Sequence, residues 1–153
     1  MLKAGARAPD FTLSDMSGTK RSLADLLAGG PVLLALYKIG CPVCQMTFPY
    51  LERIAKGSLQ VIGISQDDER GTARFQKNHN LTMPMLLDPE FEEFPVSNAF
   101  GITHVPSLFL VEPGGNISLT SEGFVKSDLE SIGERAGVAP FGPNDHVPEW
   151  KAG

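Results

Sequence analysis

The stretch Pro31-Val32-Leu33-Leu34-Ala35-Leu36-Tyr37, followed at once by Lys38-Ile39-Gly40-Cys41-Pro42-Val43-Cys44, decides how this chain folds. The run from Pro31 to Tyr37 carries no charge and follows the breaker Gly29-Gly30. It is about a third of the roughly 20 residues a membrane span needs. Its length predicts a strand buried on both faces, as in the middle of an α/β sheet. Beyond the cysteines, Gln45 to Lys56 places Met46, Tyr50, Leu51 and Ile54 at helical spacing. Pro49 predicts a kink inside that helix, and Gly57 its end. The cysteine pair therefore falls at a strand-to-helix junction.

Outward from this junction the pattern alternates. Upstream, residues 9–13 alternate in polarity as an edge strand or hairpin arm, and Ser22 to Leu27 forms a capped helical turn or two. Downstream, Leu59 to Ile64 is a second buried strand. Asp67 to Asn80 is a surface helix whose acidic start, Asp67-Asp68-Glu69, suits the positive end of the helix dipole. Met83 to Leu87 is a short apolar piece, Asp88-Pro89 turns, and Phe94 to Phe100 is a short helix. Ser107 to Val111 is a third apolar strand, joined by the turn Glu112 to Asn116 to Ile117–Thr120 as a hairpin. Lys126 to Ala136 is a last helix, closed by Gly137. Residues 138–153, with three prolines and two glycines, read as an extended, loosely tied tail. Early βα alternation followed by a hairpin predicts an α/β fold, a central mixed β-sheet with helices on both faces. One domain over residues 1–137 and a tail over 138–153 follow.

Composition narrows the function classes. A chain of 153 residues, 42% hydrophobic and 20% charged, is an ordinary soluble globular domain. A formal net charge of −5 with no basic run excludes nucleic acid and an anionic membrane surface as partners, because nothing offsets phosphate repulsion. Met1 to Arg7 lacks the apolar segment of a secretion signal, so a cytoplasmic monomer is expected, exported only if a signal segment was removed.

The chain has two cysteines, three positions apart. A disulfide scaffold spreads its cysteines to close long loops, whereas this pair cross-links almost nothing. Its reason for being there is chemical. Cys41, at the first helical turn, meets unpaired N–H groups and the positive dipole end, both of which favour a thiolate. Lys38 adds positive charge nearby, and Pro42 suits the first helical position because it has no N–H to waste. Cys41 is then the attacking sulfur, and Cys44, one turn deeper, resolves the mixed disulfide. The competing reading is a zinc-binding or redox-sensing module. It needs two further ligands, and His79, His104 and His146 stand in no ligand spacing. No metal and no cofactor are implied.

Tyr37 to Gln45, with Pro49 downstream and Val105-Pro106 before the third strand, resembles the thioredoxin superfamily. The opening Gly5-x-x-Ala8-Pro9-x-Phe11-x-Leu13, the strand Val61-Ile62-Gly63-Ile64-Ser65 and the Pro-x-Gly turn before Ile117 narrow the likeness. Together they resemble the AhpC/TSA–redoxin branch, including TlpA- and ResA-like thiol–disulfide oxidoreductases, over about residues 5–137. The resemblance implies a thioredoxin-like fold with an N-terminal β extension. It also implies a cis-Pro106 facing the cysteines, and a Val105 backbone offered to an extended substrate chain as an added strand. His104 would then lie near the cysteines, although a loop residue without a role is the simpler reading. The expected partners are a protein or small-molecule disulfide and a thiol electron donor.

Two departures stand out. The buried acid that thioredoxins carry six residues before the first cysteine is Ala35 here, which leaves Asp67 or Asp68 as the nearest substitutes. A helix-start acid on the surface is the simpler reading of both. The Trp before the first cysteine is Gly40, which opens Cys41. Peroxide reduction, the antioxidant activity of the peroxiredoxins in this branch, is the alternative. Its pocket needs Thr or Ser three residues before the reactive cysteine, Pro seven before, and a late Arg. Those places hold Lys38 and Leu34 before Cys41, Cys41 and Tyr37 before Cys44, and no Arg occurs between Arg74 and Arg135.

Overall fold

Every residue of β3 (Val32–Tyr37) is fully shielded from solvent. The strand lies inside a seven-stranded mixed sheet, and its alternation divides the core. Leu33, Ala35 and Tyr37 face one hydrophobic cluster, and Val32, Leu34 and Leu36 face another. A strand with core on both faces has no polar side, which is why it reads as an unbroken apolar run.

The computed structural model describes residues 1–153. Around β3 it contains β1 (Thr12–Asp15), β2 (Lys20–Ser22), α1 (Leu23–Leu27), α2 (Pro42–Ala55), β4 (Gln60–Ser65), α3 (Glu69–Asn78) and β5 (Met85–Leu87). A 3-10 turn at Glu90–Glu92 leads into α4 (Pro95–Ala99), followed by β6 (Ser107–Val111), β7 (Ile117–Glu122), β8 (Phe124–Val125), α5 (Lys126–Ala136) and β9 (Trp150–Lys151). The sheet order is β2-β1-β5-β4-β3-β6-β7. The strands β3, β4 and β5 run parallel, β6 returns antiparallel beside β3, and β7 pairs antiparallel with β6 at the sheet edge. The β1–β2 hairpin adds antiparallel to the far edge of β5 as the N-terminal β extension.

Helix α2 begins three residues earlier than its apolar spacing alone predicts. Cys41 is the N-cap, with its sulfur accepting the Cys44 N–H, and Pro42 starts the first turn. The buried side chains Cys44, Thr47, Phe48, Leu51 and Ile54 form the stripe that packs on the sheet. Helical structure continues without a break through Pro49. Helix α3 is shorter than its acidic run suggests, because Asp68 caps it by accepting the Gly71 N–H at 2.8 Å and Asp67 stays outside. No helix is long and apolar enough to cross a membrane.

Residues 138–153 are extended, as their prolines dictate, but they are tied down at several points. Arg53 on α2 donates to the Pro140 carbonyl and makes a two-pronged salt bridge to Asp145, at 2.7 and 3.2 Å. Phe141 packs beside Tyr50 and Phe124. Beyond Asp145, β9 pairs antiparallel with β8. Pairing of this kind depends on a partner more than 20 residues away, so prolines and glycines alone do not reveal it.

Candidate active site

The end of β3 and the start of α2 hold both cysteines, and both are free thiols. Cys41 is half-buried, and its sulfur accepts the Cys44 N–H at 3.2 Å. An N–H aimed at sulfur from the first turn of a helix is placed to receive negative charge during exchange. The Cys41 thiol also donates to the Val105 carbonyl at 3.5 Å. Cys44 is completely buried within the larger core cluster. Burial pushes its thiol well above the ordinary range, and the neighbouring Cys41 and the Asp67 carboxylate push the same way. A backbone hydrogen bond from Lys38 opposes them without reversing the outcome.

Below Cys44 the packing is aromatic. The Tyr37 ring lies 4.2 Å from Phe48 and 5.0 Å from Phe75, centroid to centroid. The Tyr37 hydroxyl donates to the Met85 sulfur at 3.2 Å. Gly63 makes this possible, because a Cβ there would strike the Met85 sulfur and stand 3.3 Å from the Tyr37 ring. Burial raises the Tyr37 phenol, so the floor under Cys44 is neutral.

Across from the cysteines, the Val105–Pro106 peptide is cis and Pro106 is buried. The Ser107 hydroxyl ties this turn by donating to the His104 carbonyl at 2.7 Å, and Gly123 N–H donates to the Pro106 carbonyl at 2.8 Å. Cys41, Cys44, Val105 and Pro106 are thus brought together. Lys38 and Pro42 are exposed on the rim, and Gly40 has open space around it. Lys38 lines the same small cavity as Val105 and His104. The His104 Nδ1 on that cavity wall lies 2.7 Å from a Glu122 carboxylate oxygen.

The two candidate acids do different things. Asp67 accepts the Ile39 N–H at 2.8 Å and so pins the loop between β3 and Cys41, whereas Asp68 serves only as the α3 cap. The anchoring role of Asp67 was not evident from sequence. A signal did exist, an acid just past the strand beside β3, but nothing in it named Ile39 as partner. No group of three or more His, Cys, Asp or Glu side chains is arranged to hold a metal ion.

An accessible sulfur capping a helix, a buried one a turn below it, and a cis-proline opposite define a thiol–disulfide oxidoreductase of thioredoxin-like fold. The AhpC/TSA family pattern matches residues 4–120, and the chain belongs to that family. It is 28% identical over 139 residues to the thiol-disulfide oxidoreductase ResA of Geobacillus thermodenitrificans, covering 84% of this chain and 77% of that one. It is 27% identical over 137 residues to the thioredoxin-like protein YneN of Bacillus subtilis, covering 84% and 78%. Among solved structures, the thioredoxin domain of a thiol-disulfide oxidoreductase from Bacteroides vulgatus superposes with a TM-score of 0.77 at 25% identity, covering 88% of this chain and 98% of that one.

Proposed function

We propose that the chain exchanges electrons with protein disulfides through a Cys41/Cys44 cycle in which Cys41 attacks and Cys44 resolves. The observation that carries the assignment is the difference in access, half-buried Cys41 above fully buried Cys44. In the reducing direction, the Cys41 thiolate attacks one sulfur of a partner disulfide. A mixed disulfide forms, and the first partner thiolate leaves. Cys44 loses its proton and attacks the Cys41 sulfur, which releases the second partner thiolate and closes the Cys41–Cys44 disulfide. Two electrons have passed to the partner, and an external thiol donor returns them. Val105 supports an extended partner chain by offering backbone beside the reacting sulfur, and Pro106 holds that backbone in place.

Lys38 and Pro42 act as rim and helix-start support. A chain with two cysteines and no disulfide frame suits a cytoplasmic setting, where thiol pools keep the pair reduced, or an exported one if a signal segment was removed, where a dedicated donor must do so. A reduction potential near roughly −270 mV assigns the reductant role, and one near roughly −120 mV the oxidant role.

The test is a pair of variants. Cys41→Ser is expected to abolish reduction of a protein disulfide, and Cys44→Ser to accumulate a covalent adduct with the partner, seen by intact mass. Retained turnover in Cys41→Ser refutes the assignment.

A further inference from the structure

The last residues of the chain lie against the Val105 backbone. A side chain on Gly153 would collide with the Val105 carbonyl oxygen, and its Cβ would stand 2.8 Å from the Val105 carbonyl carbon and 3.4 Å from the Pro106 nitrogen. This is the carbonyl that receives the Cys41 thiol. The approach is built from two sides. The two-residue ladder between β8 and β9, with Lys126 N–H donating to the Glu149 carbonyl at 3.0 Å, brings the tail alongside Gly123. A Cβ on Gly123 would stand 2.5 Å from the Lys151 carbonyl oxygen, so Gly123 is what lets the tail come this close. Gly123 in turn donates to the Pro106 carbonyl. The tail has therefore added itself as a short strand on β8, with Gly153 set against the cis-proline turn.

The anchoring is uneven. Upstream, Arg53 holds Pro140 and Asp145. Downstream, residues 148–153 are all exposed, with Trp150 63% accessible, and nothing packs over them. Residues 148–153 can lift off while the Arg53 anchor stays. Beside it lies a cavity of about 290 Å³ between Lys38, Gln66, His104, Val105 and Gly153, wide enough for a small thiol compound to sit near the rim.

We propose that residues 148–153 are a displaceable strap and the specificity-determining segment of this enzyme. Small disulfides reach Cys41 with the strap in place, and polypeptide disulfides pair with Val105 only after displacing it. The inference rests on the exchange cycle above. Its cost to the polypeptide reaction is a population cost, because apparent affinity falls by the fraction of molecules whose docking edge is open.

The experiment mixes the reduced 153-residue protein with insulin, or with oxidised glutathione, and follows oxidation of the pair as a second-order rate constant. Two changes are compared with the parent: removal of residues 148–153, and Gly153→Val, which crowds Val105 without shortening the chain. The expected result is a rise of roughly fivefold or more with insulin, against a change within about twofold for oxidised glutathione. Equal acceleration of both substrates overturns the selectivity claim. An unchanged or slower insulin reaction in both folded variants overturns the strap. Failure of the exchange reading itself looks different: the parent protein then oxidises with neither substrate.

Discussion

The two sulfurs stand one helical turn apart, yet the rim around Cys41 and the interior around Cys44 differ in nearly every physical respect. At the rim, Gly40 contributes no side chain, Lys38 and Pro42 are exposed, and Cys41 faces a backbone carbonyl and a backbone N–H. In the interior, Cys44 is sealed among Tyr37, Phe48 and their neighbours in a cluster of 20 buried residues. Two identical thiols thus acquire different surroundings, one half-buried at the helix cap and one sealed in the core. Of the residues between them, Pro42 opens the helix and Val43 packs into the same buried cluster as Cys44. What separates the two surroundings is where that start falls relative to the end of β3.

The largest expected effect comes from hollowing the interior. Phe48 is fully buried, with its ring against Tyr37 and 5.6 Å from Phe75. Phe48→Ala should cost about 3–5 kcal/mol of stability, from lost transfer free energy and the cavity left behind. At the rim, Gly40→Ala should stay within about 0.5 kcal/mol, since no atom lies near the added methyl. Urea unfolding of both variants measures the contrast, and comparable losses would break it.

A smaller effect concerns protons. Burial, the largest cause of the raised Cys44 pKa, persists in the mixed disulfide, so the resolving step runs on a small thiolate fraction. Its rate should climb about tenfold per pH unit between roughly pH 6 and about 9. Closure of a preformed adduct, followed by release of its leaving thiol, measures this, and a plateau near neutrality would contradict it. The same shift bears on stability. Below about 8.5 the Cys44 thiol is neutral in both folded and unfolded reduced protein. Above that, the unfolded thiol ionises and the buried one does not, so stability of the reduced form is lost as pH rises.

What the amino-acid pattern made legible follows the same division between local and distant causes. The strand β3 was legible because burial on both faces leaves an unbroken apolar run, and α5 because Gly137 closes it at Ala136. The cysteine pair was legible because its spacing has few other uses. Long-range polar ties were not. Asp88, in what reads as a simple Asp-Pro turn, is fully buried, and its carboxylate accepts from Val96 N–H, Ser97 N–H and the Ser97 hydroxyl at the start of α4. Glu52 sits in the buried stripe of α2 and accepts the Thr82 and Met83 N–H groups. Burial alone would raise its carboxyl, but hydrogen bonds from Thr82, Lys56 and Met83 outweigh it and hold the group below its usual range. Each of these acids answers backbone donors that no local spacing announces. The tail's pairing with β8 belongs to the same class.

The smallest expected effect decides what stands in for the acid that Ala35 lacks. Asp67 makes one hydrogen bond to Ile39 and adds a weak upward push on Cys44. A carboxylate that only anchors the loop and repels a second negative charge should slow resolution slightly. Asp67→Asn keeps an acceptor for the Ile39 N–H and removes the charge, so closure of the mixed disulfide near pH 7 should quicken by about twofold. Asp67→Ala also loses the anchor and should blunt attack by Cys41, because the loop ahead of the helix start is no longer held. A carboxylate that instead takes the Cys44 proton gives the opposite sign: Asp67→Asn then slows closure and flattens its pH dependence. Single-turnover closure rates of the two variants across the pH range separate the cases. The geometry favours the anchor, because the one hydrogen bond this carboxylate makes points at the rim and not into the interior.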